Sequence, residues 1–237
     1  MAVLKEINTT MLKGKLGDFV VRSYNGNIIL SKRPSKYKIN QGLKAKEGRS
    51  KFGITAHLSK SIASLPTLKE IWKTVEGSDK TVFHTICKYN FGKSSASKPT
   101  LYNIITPNGF LLPDIDASVD TEKITASFSA LNTLHKLKSA EVDLSVNAVV
   151  CFTGQVNRED EPCGFSACSK EVKNFKFDRA CEVVIEFDRK QKLIAAKYSG
   201  CILYLCAATK DSAGNVVRYS RTFSKEIIIT QFTQPLE

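Results

Sequence analysis

Long apolar runs are missing from this chain of 237 residues. No stretch approaches the roughly 18 consecutive apolar residues that a membrane-crossing helix requires. The first residues, MAVLKEINTTMLKGKLGDF, hold no apolar run of signal-peptide length. These absences predict no membrane span and a protein made and kept in a cytoplasm, or released only by a dedicated machine or by host lysis. Catalytic signatures are missing too. G-x-G-x-x-G, G-x-x-x-x-G-K-[ST], H-E-x-x-H and G-x-S-x-G do not occur, so the usual dinucleotide, P-loop, zincin and α/β-hydrolase motifs are excluded. Histidine is scarce. His57, His84 and His135 are scattered, and satisfied surface or core histidines are the simplest reading. Cys87 with His84 comes nearest to a dyad, but no third group orients it. The expectation is a non-enzyme that uses no cofactor.

Cysteine is not scarce, but it is unpaired by number. There are seven: Cys87, Cys151, Cys163, Cys168, Cys181, Cys201 and Cys206. An odd count without a secretion signal favours free thiols in a reducing compartment. Two C-x4-C pairs, Cys163/Cys168 and Cys201/Cys206, invite a zinc reading. The second pair lies within CILYLCAAT, which reads as a buried strand. Residues five apart on a strand face opposite sides, so Cys201 and Cys206 cannot readily share one ion. Buried small hydrophobes are the better description. Asp114, Asp116 and Asp120 lack EF-hand spacing and glycine, and Glu159-Asp160-Glu161 before Pro162 reads as a solvated loop tip.

Acidic residues are sparse in the first part of the chain. Residues 1–98 carry 19 Lys+Arg against 6 Asp+Glu, whereas residues 99–237 carry 16 against 17. The whole excess of the +12 net charge therefore lies in the first two-fifths, and an anionic partner is expected for that part. The excess is densest in KRPSKYKINQGLKAKEGRSK. Lys32, Arg33, Lys36, Lys38, Lys44, Lys46, Arg49 and Lys51 there accompany a single acid, Glu47. With Arg22 and the nearby Tyr24 and Tyr37 they are the candidate binding residues. Three readings suit them: docking onto an acidic subunit of an assembly, phosphate contacts with stacking on unpaired DNA or RNA bases, or a plain solvated surface.

The hydrophobic fraction, 42%, suits an ordinary core. FVVRSY and NIILSK flank Asn25-Gly26, a strong hairpin signal because a type I′ turn needs positive φ at both central residues. Pro34 ends the second strand. From about Leu43 the apolar period becomes helical through Ile54, Leu58, Ile62 and Leu65, with Phe52, Ala56 and Ala63 beside them. Pro66 breaks that helix. Thr67 is expected to cap a second one bearing Leu68, Ile71, Trp72 and Val75. Thr81 to Tyr89 suits helix or strand. FGKSSASKPT then reads as a loop and domain boundary. Beyond it LYNIITP, ITASFSA, VDLSVNAVVCFTG, CEVVIEF, CILYLCAAT, VVRYSRTFS and EIIITQF read as strands. Turns are expected at Pro107-Asn108-Gly109, Pro113-Asp114, Glu159–Pro162, Ser199-Gly200 and Asp211–Asn215. Such spacing predicts an antiparallel sandwich. Tyr204-x-Cys206 resembles an immunoglobulin tyrosine corner, without the Cys-Trp-Cys core.

Gly14-x-x-Gly17-x-x-Val20, Asn25-Gly26, Arg33-Pro34, Gln41 and Arg49-x-x-Phe52 together resemble the N-terminal region of an uncharacterised domain-of-unknown-function family of Bacteroidota and related phage genomes. Gly109 in TPNGFLLP resembles that family's step into a β-rich part. The resemblance implies a glycine-marked hairpin, a basic Arg-Pro turn, a helix and a β-rich remainder, with a structural or virion-associated role.

The expected fold is therefore α+β: a basic hairpin-plus-helix module over residues 1–98 and an antiparallel β-sandwich, immunoglobulin-like or a related Greek key, over 99–237. The expected function is a non-enzymatic structural subunit of a multi-subunit particle such as a phage virion, partnered by itself or other subunits. Sequence-nonspecific nucleic-acid binding is the alternative. A carbohydrate-binding or hydrolytic sandwich is a further one, which would require a deep pocket lined by acids or by aromatics from Phe110, Phe128, Phe152, Phe165, Phe175, Phe177, Tyr198 and Tyr204.

Overall fold

Four short strands open the chain: β1 (Ala2–Leu4), β2 (Gly14–Leu16), β3 (Phe19–Tyr24) and β4 (Asn27–Lys32), in the sheet order β1-β4-β3-β2. The computed structural model describes residues 2–4, 14–24, 27–33, 39–75, 81–132, 138–155 and 163–229. The expected hairpin is present in its register, Tyr24 opposite Asn27 and Phe19 opposite Lys32; residues 25 and 26 lie outside the described residues. A second tight connection joins β2 to β3, with Leu16 opposite Phe19. Gly17 supplies its positive φ of 55°, a conformation that glycine adopts without a Cβ penalty. Val21 and Ile28 are the buried apolar side chains of this sheet among the described residues.

Two compact units divide the chain, Met1–Ala45 and Lys46–Glu237. The boundary expected at 98/99 falls inside the second unit. The reason is packing. Helices α1 (Leu43–Ser64), α2 (Pro66–Lys73) and α3 (Val82–Phe91) share an apolar core with the sheet that follows. In it Leu58, Ile62, Leu65, Leu68, Ile71, Trp72 and Ile86 meet Val149, Ile202, Tyr204, Cys206 and Ala208. The buried stripe of α1 is Thr55, Leu58, Ser59 and Ile62, so Ile54 sits at the flank and Phe52 is exposed. Pro66 occupies the first turn of α2, where its missing N–H costs nothing. Leu65 takes the cap position, and the expected Thr67 cap is absent; the Thr67 hydroxyl lies 3.4 Å from that of Ser145. Thr81 to Tyr89 resolves as helix, capped by Thr81 on the His84 N–H.

The remaining strands are β5 (Asp116–Val119), β6 (Lys123–Phe128), β7 (Asp143–Gln155), β8 (Gly164–Val172), β9 (Cys181–Glu186), β10 (Tyr198–Lys210), β11 (Val216–Tyr219) and β12 (Phe223–Ile228). One antiparallel sheet is β5-β6-β9. The other runs β8-β7-β10, with β11 and β12 both on the far edge of β10. The first, second and fifth of these eight strands thus form one antiparallel sheet and the other five the second, a sandwich-like arrangement. Between the sheets Ile124, Ala126, Val183 and Ile185 pack on Val146, Ala148, Val150, Leu203 and Leu205. Strand β10 is buried on both faces. Cys201, Leu203, Leu205 and Ala207 enter the sandwich, while Ile202, Tyr204, Cys206 and Ala208 meet the helices. The larger unit is therefore three layers, helices on sheet on sheet, and Cys201 and Cys206 lie on opposite sides of one strand.

Several strand expectations change. LYNIITP is a loop, because side chains take its backbone hydrogen bonds. Asn90 Oδ1 accepts from the Ile104 N–H, and Thr222 Oγ1 accepts from those of Ile105 and Thr106. Trp72 Nε1 donates to the Ile105 carbonyl at 2.8 Å. No donor at 104–106 is left for a ladder. VVRYSRTFS breaks into β11 and β12 because Arg221 N–H turns to the Phe110 carbonyl at 2.7 Å. Gly109 permits that approach: at its φ of 125° a Cβ would stand 2.3 Å from the Tyr219 carbonyl oxygen. Ser199-Gly200 lies within β10 and makes no turn. Tyr204 is no tyrosine corner; mid-strand, it donates to the Thr100 carbonyl at 2.6 Å and so ties the helix-to-sandwich connection to the sheet. Strands β5 and β8 were not expected, and neither was α4 (Arg189–Ala195), opened by an Asp188/Gln191 capping box. Glu159–Pro162 lies outside the described residues.

Candidate functional site

The basic residues singled out by sequence fall into two groups. Arg22, Lys32, Arg33 and Lys44 belong to the smaller unit and are exposed. Lys46, Arg49 and Lys51 belong to the larger one. Lys36 and Lys38 lie outside the described residues, as do Tyr37, His135 and the side chain of Tyr24. On the sheet of the smaller unit Arg22 stands opposite Ile29, and Lys15 opposite Val20. By strand alternation Lys15 and Arg22 share the face opposite to that of Val21 and Ile28.

In the larger unit the geometry is set by α1. Its core stripe is fixed by Thr55, Leu58, Ser59 and Ile62, so the opposite stripe, at steps of three or four residues, is Lys46, Arg49, Gly53, His57 and Lys60. Lys46, Arg49, His57 and Lys60 are exposed. Lys51 lies nearer the core side, with its ammonium 5.4 Å from the centroid of the Phe91 ring; there it joins α1 to α3 rather than adding to the outward stripe.

One flank of that stripe borders a groove of about 900 Å³. Its α1 wall is Ser50, Gly53, Ile54, His57, Lys60 and Ser61. Its far wall comes from the start of β8, with Cys163, Gly164 and Phe165, and from the junction of α4 with β10, with Ile194, Lys197 and Tyr198. His57 stacks on Phe165, ring centroids 6.1 Å apart and planes 13° from parallel. Gly164 is required by close packing, since a Cβ there would meet Ile194 Cγ2 at 2.8 Å and Tyr198 Cε2 at 3.1 Å. Its described lining residues include two lysines, a histidine and two serines. No local signal marks this place: His57 reads as an ordinary helix histidine, and Lys197 lies far along the chain.

Nucleophiles are not activated here. Cys163 presses on Cys151, and that thiol contact together with burial pushes the Cys151 thiol far above its ordinary range. Burial raises Cys168 and Cys201 to about 12. It also raises Cys87, while the His84 Nδ1 lies 2.7 Å from the Thr81 hydroxyl; the Cys87–His84 pairing is not formed. Such thiols stay protonated at neutral pH. The acids are engaged elsewhere. Asp114 accepts from the Ser129 hydroxyl, Asp116 from Lys225, and Asp120 from the N–H groups of its own turn. Phe128, Phe152, Phe177 and Tyr204 fill the cores. A second hollow, about 730 Å³ beside α4, is lined by Glu122 and Lys192, which pair with one another.

No family model matches the chain, and no curated protein matches it. Among solved structures, beta-glucosidase 3B from Thermotoga neapolitana, in complex with alpha-D-glucose, is similar over 60% of this chain and 20% of that one, at 14% identity and a TM-score of 0.25. The same enzyme with glucose gives 14% identity, the same coverage and a TM-score of 0.23. The chain thus spans a fifth of that enzyme's length. Likeness at this TM-score carries no argument for fold or activity. No helix among the described residues is long and apolar enough to cross a membrane.

Proposed function

We propose that the protein is a non-enzymatic structural subunit of a larger assembly, of the phage-particle kind that the N-terminal glycine and Arg-Pro pattern suggests. The observation that carries this reading is the outward stripe of α1. Lys46, Arg49 and Lys60 are exposed on a helix whose later half, Thr55 to Ile62, is buried against the sheet core. A cationic ridge of this kind suits an acidic face on a neighbouring subunit, because electrostatic complementarity fixes register and speeds encounter. The small sheet of Met1–Ala45 adds support. It exposes Leu16 and Phe19, and short sheets with little core of their own gain stability by pairing with other surfaces. Mass measurement in solution across salt and protein concentration tests the proposal. Oligomers that dissociate as salt rises, and that Lys46→Glu with Arg49→Glu weakens, are expected. Monomers under all conditions would overturn it.

The same ridge favours a second reading, sequence-nonspecific contact with DNA or RNA backbones. On duplex DNA that reading requires log K to fall with log salt at a slope of about −0.9 per phosphate neutralised.

A further inference from the structure

We infer that Asn108 is a site of spontaneous modification: its side-chain amide, polarised by the Tyr219 hydroxyl, is attacked by the Gly109 main-chain nitrogen and converts to aspartate and isoaspartate. This goes beyond both functional readings and depends on neither.

Sequence supplies the first reason. A main-chain nitrogen can close a succinimide ring on the asparagine side chain before it, and a glycine nitrogen has no Cβ beside it to obstruct the closure. Asn108-Gly109 is such a pair, in the connection between α3 and β5. The second reason is access. Asn108 is exposed, so water reaches the amide and ammonia can leave. Among the described residues no hydrogen bond holds the Gly109 N–H. Gly109 is anchored through its carbonyl, which accepts from Arg221 Nε at 3.1 Å. The third reason is the phenol. The Tyr219 hydroxyl donates to Asn108 Oδ1 at 2.6 Å. That bond draws electrons from the amide carbon and stabilises the charge that builds on Oδ1 as the nitrogen adds. Burial pushes the Tyr219 phenol above its ordinary range, so it remains a donor in mildly alkaline water.

The atoms balance with water as the only co-reactant. The Gly109 nitrogen loses its proton to solvent and bonds to Asn108 Cγ. The Cγ–Nδ2 bond breaks, and Nδ2 takes up a solvent proton and leaves as ammonia. One water then opens the succinimide. Opening at the side-chain carbonyl gives aspartate, and opening at the main-chain carbonyl gives isoaspartate. Isoaspartate inserts an extra carbon into the main chain just before Gly109, where space is tight: a Cβ on Gly109 would stand 2.3 Å from the Tyr219 carbonyl oxygen. The Phe110 N–H donates to that carbonyl at 3.1 Å, and the Phe110 carbonyl accepts from the Arg221 N–H at 2.7 Å. Displacing Gly109 breaks both bonds, so the modification loosens the β11–β12 break.

The test incubates the full chain at mildly alkaline pH and follows Asn108 by peptide mass mapping, which separates it from Asn25-Gly26. Asn108 should convert while Trp72 fluorescence still reports a folded chain. A succinimide, lighter by one ammonia, should come first, and isoaspartate should prevail at the end. Asn108→Gln should abolish conversion at this position, because glutamine must close a larger ring. Tyr219→Phe keeps the aromatic ring and should slow conversion about two- to tenfold, the weight of one neutral hydrogen bond; in urea the two chains should react at one rate. In the isoaspartyl chain, amide exchange at Phe110 and Arg221 should quicken at least about tenfold. Three results overturn the inference: Asn108 intact in the folded chain after a time that converts most of it in urea, Tyr219→Phe reacting as fast as wild type or faster, or unchanged exchange at Phe110 and Arg221 after conversion.

Discussion

Replacing Ile62 by alanine tests whether the helices are part of the sandwich unit or a module resting on it. Ile62 has no solvent exposure and sits among Leu58, Leu65, Ile202 and Tyr204 in the helix–sheet core. Truncating a buried isoleucine costs about 2–5 kcal/mol, the transfer loss plus the cavity left behind. For a unit of this size about 1 kcal/mol shifts the melting temperature by roughly 2–4 °C, so a fall of roughly 4–20 °C is expected. Trp72, the single tryptophan, is fully buried in the same core and bonded to Ile105. Its fluorescence therefore reports the helix layer, while far-UV circular dichroism near the β minimum reports the sheets. In urea the two transitions should coincide in wild type and move together in Ile62→Ala. Lys60→Ala, two residues away on the outer side, should stay within about 0.5 kcal/mol. A variant in which tryptophan fluorescence shifts while the sheet transition stays put would refute the three-layer unit and restore a boundary near residue 98.

Gly109→Ala should destabilise by more than about 1 kcal/mol, because φ is 125° and the methyl would stand 2.3 Å from the Tyr219 carbonyl; a neutral urea midpoint would show that the Phe110 contact with the β11–β12 break is not formed. Asp143 accepts from Lys173 Nζ at 2.7 Å and from the Asn174 N–H at 2.9 Å, and the Lys173 hydrogen bond, followed by that N–H, holds its carboxyl below the usual range. A depressed folded-state value means stability that is present above the unfolded value of roughly 3.9 and lost as pH falls through the folded one. Asp143→Asn should therefore be less stable than wild type at pH about 7, with the gap closing below pH about 4; a gap that stays constant down to pH about 2 contradicts the pairing.

Local signals were legible and long-range ones were not. The β3–β4 hairpin could be read from Asn25-Gly26 and the two apolar, β-rich runs that flank it, all close together in the chain. Strands β7 and β10 could be read as continuous apolar runs, and both faces of β10 are indeed covered. LYNIITP has the same composition, yet Asn90 and Thr222, one before it and one far after it, take its donors. Nothing within seven residues records that. FGKSSASKPT reads as a boundary because serine, glycine and proline mark loops. Whether a loop separates bodies depends on what its ends pack against, and here Asn103 binds Asn90 and Ser94 across it. The groove joins residues 50–61 to residues 163–165 and 194–198, so only the fold brings its cations together.

The double burial of β10 also bears on the proposed assembly. An antiparallel sandwich ordinarily solvates the outer face of each sheet. Here Ile202, Tyr204, Cys206 and Ala208 would be bared if the helices lifted away, and exposed apolar area costs about 25 cal/mol per Å². The helix layer is therefore constitutive and does not act as a detachable arm. Tyr204 reinforces it by bonding the connection at Thr100 to the sheet, and Trp72 does so by bonding Ile105. Lys60 accordingly stands on a backbone held by that core, which would present it preformed in the proposed assembly. Binding there would then require little ordering of the backbone, which raises affinity for a given set of contacts.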